Sequence, residues 1–124
     1  MVGRDTLLVM TTLPDAGTAR EIAAALVASR LAACVSVQPA CLSVYRWEGA
    51  IEQSQEVPLM IKTTSDRYPA LEAELRRRHP YALPEIIAIP VTHGLPAYME
   101  WVVSETIAED VGLNDEVSMP GVQP

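Results

Sequence analysis

The segment His79-Pro80-Tyr81-Ala82-Leu83-Pro84-Glu85-Ile86-Ile87-Ala88-Ile89-Pro90-Val91-Thr92-His93-Gly94 carries both histidines of the chain and three of its ten prolines. Its centre, Ile86-Ile87-Ala88-Ile89, is apolar, rich in β-branched residues and closed by Pro90. That pattern predicts a short strand buried on both faces. Polar groups gather at its two ends, with His79, Tyr81 and Glu85 before it and His93 after it. A strand of this kind has to sit inside a sheet, and the flanking sequence supplies one.

Immediately upstream, Ser65-Asp66 is placed to cap a helix whose first turn holds Pro69, where a missing N–H costs nothing. Tyr68, Leu71 and Leu75 form its apolar stripe. Arg76-Arg77-Arg78 falls in its last turn, where cations complement the helix dipole, and His79-Pro80 ends it. Downstream, Gly94-Leu95-Pro96 opens a helix with Tyr98, Trp101 and Val102 on one face.

Further out, Thr6-Leu7-Leu8-Val9-Met10-Thr11-Thr12 predicts a central strand. Asp15 caps a helix in which Ala19, Ile22, Ala23, Leu26 and Val27 recur at helical spacing. Residues 31–47 read as one long strand kinked near Pro39, because proline cannot donate to a sheet ladder. Glu48-Gly49 is a turn, and Ala50 to Thr64 forms the returning strand. At roughly 3.3 Å per residue the arms of this hairpin reach about 40 Å, more than the sheet of a small domain needs. Its tip, with Trp47, is therefore expected to project and pair with another copy of the chain. The order is βαββαβ plus a terminal helix. This predicts an α+β, ferredoxin-like antiparallel sheet with helices on one face, oligomeric once the hairpin finds its partner. The second face of the sheet is apolar enough to need covering as well.

A chain of 124 residues is one domain, read here as residues 1–109, with an acidic tail at 110–124 expected to be disordered. The absence of a long apolar run excludes a helical membrane span, and the N-terminus lacks the pattern of a signal peptide, so the expectation is cytoplasmic. Cys34 and Cys41, seven residues apart in extended chain, read as buried small hydrophobes and form no zinc-finger spacing. The net charge of −7 is unevenly placed: residues 1–78 hold nine basic and nine acidic side chains, and residues 79–124 hold seven acids without a Lys or Arg. That leaves no basic face for nucleic acid.

Five segments, taken together and in order, resemble the divalent-cation tolerance (CutA) family. They are Leu31-Ala32-Ala33-Cys34, Tyr45-Arg46-Trp47-Glu48-Gly49, the Glu56…Lys62-Thr63-Thr64 stretch, His79-Pro80-Tyr81…Pro84-Glu85 and Pro90-Val91-Thr92-His93-Gly94. The likeness covers about residues 6–108. It implies a stable homotrimer of ferredoxin-like subunits, similar in architecture to PII-type signalling proteins and linked to tolerance of copper and other divalent ions. It also implies that copper, where a relative binds it, is held by a cysteine ending the first strand and two consecutive histidines before the Pro-Tyr pair. Those positions here are Thr11, Arg78 and His79, of which only His79 keeps a ligand type. One imidazole rarely holds a metal unaided. No cofactor is required on this reading, and copper or another divalent cation is the ion the resemblance implies.

His79 has a second reading, as a cap donating to the last carbonyls of the helix before it. Lys62, the only lysine, ends an apolar strand and should seek a carboxylate, Glu56 or Glu85. Trp47, Lys62, Tyr81, Glu85 and His93 together are read as lining an intersubunit cleft in which Lys62 meets an anion. The main function expected is therefore a trimeric binding or signalling protein. The alternatives are a small enzyme using Lys62, Glu85 and His93 as acid, base and orienter, and a scaffold that binds other proteins. No nucleophile elbow, phosphate loop or complete metal triad favours the enzyme.

Overall fold

The computed structural model describes residues 4–107. The elements run β1 (Thr6–Leu13), α1 (Ala16–Ala28), β2 (Cys34–Val37), β3 (Cys41–Trp47), β4 (Ala50–Thr64), α2 (Tyr68–Arg78), β5 (Ile87–Pro90) and α3 (Pro96–Glu105). The sheet is antiparallel, in the order β2-β4-β1-β5, and among the described residues β3 pairs with β4 alone. The fold is α+β, as the sequence predicts. The acidic tail expected at 110–124 lies outside the described residues.

β4 organises the sheet because its two halves take different partners. The inner half pairs with β1 from Thr6↔Thr64 to Leu13↔Val57, and with β2 from Cys34↔Lys62 to Val37↔Leu59. The outer half pairs with β3 from Cys41↔Glu56 to Trp47↔Ala50. The break between β2 and β3 falls at Gln38-Pro39-Ala40. The Gln38 N–H still donates to the Pro58 carbonyl at 2.9 Å, and Pro39 has no N–H to give. At the hairpin tip Glu48 and Gly49 have φ of 52° and 84°, the left-handed pair that a two-residue turn needs to match strand twist.

One face of the sheet holds the core. Val9 and Leu13 of β1 and Leu59 and Ile61 of β4 meet Ile22 and Leu26 of α1 and Leu71 and Leu75 of α2, all essentially removed from solvent. The α1 start is fixed by Asp15, whose carboxylate accepts from the Thr18 N–H at 2.7 Å. The expected cap of α2 is not made. Asp66 instead accepts from the Thr64 hydroxyl at 2.6 Å and pairs with Arg4, and Arg67 precedes the helix without a side-chain cap. A guanidinium brought in from the N-terminal segment competes for this carboxylate better than a neutral backbone N–H does.

The other face is defined by register. Ile89, Leu8, Lys62 and Cys34 form one row across the strands, and Ile87, Met10, Met60 and Ser36 the next. Helix α3 covers only one end of this face, with Val102 fully buried and the Thr106 hydroxyl 3.5 Å from that of Thr64. The helices are thus divided, α1 and α2 on one face and α3 on the other. The expectation of a short strand buried on both faces, centred on Ile86–Ile89, fails among the described residues. β5 is an edge strand paired only with β1, and Ile87 and Ile89 remain 48% and 47% exposed. Its apolar composition calls for more cover than the described residues give it.

Candidate functional site

A groove of about 870 Å³ lies where the β3–β4 ribbon leaves the sheet, between the ribbon and residues 81–85. Strand alternation decides what it presents. Ser43, Tyr45 and Trp47 of β3 share a face with Ser54 and Glu56 of β4, because directly paired residues point the same way. The Tyr45 hydroxyl is 3.3 Å from that of Ser54. The opposite wall is Tyr81, Ala82, Leu83, Pro84 and Glu85. At the floor, the Thr12 hydroxyl donates to Glu56 at 3.2 Å. Burial, with the Glu56 carboxylate facing its hydroxyl, pushes the Tyr81 phenol up to about 12.

His79 holds that wall in place. Its Nε2 lies 2.9 Å from the Thr12 carbonyl and 3.2 Å from the Thr11 hydroxyl, and its Nδ1 accepts from the Tyr81 N–H at 3.2 Å. A carbonyl can only accept, so Nε2 carries the proton and the ring is the neutral tautomer. Burial lowers its pKa, against smaller opposing contributions from Thr12 and Glu56. The side chain therefore does not cap α2; only its backbone N–H does, donating to the Leu75 carbonyl. The ring reaches across to the end of β1 and sets the path of the chain into the groove, packing against Tyr81 at a tilt of 49° with ring centroids 4.9 Å apart.

Of the five residues read as a cleft, the groove gathers Trp47, Tyr81 and Glu85. Lys62 does not line it. Its ammonium lies 3.8 Å from the Cys34 Sγ, and among the described residues it makes no ion pair with Glu56 or Glu85. The Tyr98 phenol is raised by burial and, secondarily, by Cys34 beside it. His93 is exposed, its Nδ1 3.0 Å from the Thr92 hydroxyl, and also lies off the groove. Tyr45, Ser43, Ser54 and Thr12 are lining residues that the sequence reading missed. Alternation along residues 41–47 does place Tyr45 beside Trp47, but only the hairpin register brings Ser54 and Glu56 under them.

The copper positions implied by the family resemblance do not fit a metal. Thr11 and His79 touch, so the geometry of the pair is kept. Both nitrogens of the imidazole are already engaged, however, and Arg78 is turned onto Glu74 at 2.6 Å. A hydroxyl, an occupied imidazole and a guanidinium do not make a copper donor set. Among the described residues no group of three or more His, Cys, Asp or Glu side chains converges as a metal site.

Fold and groove together define a small α+β protein with an open sheet face and a groove at the base of a projecting ribbon. The family described as "CutA1 divalent ion tolerance protein" matches residues 7–105. A divalent-cation tolerance protein CutA of Thermus thermophilus is 42% identical over 99 residues, covering 80% of this chain and 96% of that protein. Protein CutA of Mus musculus is 48% identical over 99 residues, covering 78% of this chain and 56% of that longer protein. A crystal structure of CutA from Xylella fastidiosa superposes with a TM-score of 0.81 at 45% identity, over 83% of this chain and 99% of that one. The chain belongs to the CutA1 divalent ion tolerance family.

Proposed function

We propose that this chain works as a homotrimeric binding protein, without a catalytic step of its own, in which ferredoxin-like subunits dock through the open sheet face and the ribbon and hold a small ligand in the groove. The observation that carries the proposal is the ribbon itself. Among the described residues β3 pairs with nothing but β4, yet Leu42, Val44 and Ile51 expose apolar surface on the face of the ribbon turned away from the groove, Ile51 to 67%. A two-stranded ribbon in water is marginal without further packing, and an apolar patch of this kind marks an interface. The apolar edge strand β5 and the uncovered rows through Met10 and Met60 lie on the remaining surface and support the same arrangement. The strand order, with β1 and β4 central and two crossovers by α1 and α2, agrees with the ferredoxin-like plan. The link to divalent-ion tolerance follows from the family, and copper enters without a ligand set at the implied positions. The free thiols Cys34 and Cys41 suit a reducing compartment, which supports a cytoplasmic setting.

Light scattering on the full chain tests the assembly. The expected result is a particle of three times the 13.5 kDa chain mass at micromolar concentration. Ile51→Asp, which places a charge on the exposed apolar face of the ribbon near its tip, is expected to shift the population toward smaller species. A well-folded parent that stays at the mass of one chain overturns the proposal.

A further inference from the structure

The charges in the groove point away from the anion site expected around Lys62. Two carboxylate side chains face the groove, Glu56 on β4 and Glu85 on the opposite wall. Glu52, paired with Tyr45, stands on the same side of the ribbon further out, and Asp15 is close enough to act on the Tyr81 phenol. Among the described residues neither Glu56 nor Glu85 has a cationic partner, and the contacts to Glu56 come from the hydroxyls of Thr12 and Tyr81, which leave its charge in place. Arg46 belongs to the lining, but it lies between Tyr45 and Trp47 and alternation turns its side chain to the other side of the ribbon. Lys62 is six residues along β4 from Glu56, roughly 20 Å away at the rise of an extended strand. His79 is no cation for the groove, since burial lowers its pKa and its Nδ1 already accepts from the Tyr81 N–H.

The apolar part of the lining is aromatic: Tyr45 and Trp47 on the ribbon and Tyr81 across from them. Aromatic rings attract cations through their faces, most strongly when a carboxylate stands nearby and water is partly excluded. The volume falls in the range of small-molecule sites. We infer that the groove binds a small organic cation, an ammonium group on an apolar body, with the rings of Tyr45, Trp47 and Tyr81 around the body and Glu56 and Glu85 taking the charge. A bare divalent metal ion is a poorer fit. Two carboxylates from opposite walls offer few oxygen ligands, and the rings offer none.

This inference rests on the proposal that the groove is a ligand site, and the test separates the two. Three probes of one shape are titrated calorimetrically into the full chain: phenethylammonium, phenethyl alcohol and 3-phenylpropionate. Phenethylammonium is expected to bind at least about tenfold tighter than either of the others, the value of one charge-assisted contact. Glu56→Gln and Glu85→Gln each reduce that preference, and Trp47→Leu weakens phenethylammonium while Trp47→Tyr restores it. Unchanged thermal midpoints show that the variants fold. If the three probes bind alike, or the carboxylate binds best, the cation assignment is overturned and the groove stands as a ligand site. If magnesium or copper(II) binds in a Glu56- and Glu85-dependent way and phenethylammonium does not, the assignment is again overturned. If no probe binds at millimolar concentration, both the assignment and the ligand site fall.

Discussion

Replacing His79 tests the reasoning about the site most directly, because one ring supports three contacts. His79→Ala leaves the Thr12 carbonyl without the imidazole donor at 2.9 Å and the Tyr81 N–H without its acceptor at 3.2 Å. Each partner left unpaired in a buried setting costs about 1–3 kcal/mol, and the void adds to it. Tyr81 is only half-buried, so water recovers part of its share, and the total expected is about 2–4 kcal/mol. His79→Phe keeps volume and loses the hydrogen bonds, so it should fall only slightly short of the alanine variant. Urea denaturation at one fixed protein concentration measures both. The same ring gives a pH signature. Burial holds the folded pKa below the ordinary 6.5, so as pH falls the unfolded chain takes up the proton first. The ring's contribution is complete above about pH 6.5 and is lost as pH drops through the lowered folded value. In His79→Phe that part of the pH dependence should vanish. A loss under about 0.5 kcal/mol, or an unchanged pH profile, refutes the assignment of His79 as the lock on the groove wall.

Three further outcomes are expected. Asp15→Ala removes the acceptor for the Thr18 N–H and should cost about 1 kcal/mol in a urea midpoint, with Asp15→Asn recovering most of it. Gly49→Val puts a β-branched side chain at φ of 84°, and should destabilise by about 1–2 kcal/mol although open space surrounds the site; circular dichroism melts measure this. In copper titrations followed by absorbance, the parent chain and His79→Phe should bind the ion alike, whereas Thr11→Cys combined with Arg78→His should gain affinity; tight, His79-dependent binding by the parent would show that the donor set was misjudged.

Local chemistry settled much of this protein before any packing was known. Asp15 as a cap, Pro69 at the start of α2, the turn at Glu48-Gly49 and the bounds Ala50–Thr64 of β4 are each decided by a few neighbouring residues, and they sit where propensity and capping place them. The five family segments lie within the matched residues 7–105. The exposure of β5, the position of α3 and the surroundings of Lys62 were decided at long range. Apolar composition in Ile87 and Ile89 reveals that a strand wants to be covered, but not that the other described residues leave it half exposed. Lys62 was read as seeking a carboxylate because charge is visible in sequence, whereas the register Cys34↔Lys62, which sets a thiol beside it, is not. His79 shows the division most clearly. Its residue type limits it to capping, ligating or locking, and only the approach of Thr11 and Thr12, 68 and 67 residues away in the chain, selects the lock. A side chain's chemistry is a local property. Its partner is chosen by the pairing of strands distant in sequence, and that pairing is a property of the folded sheet.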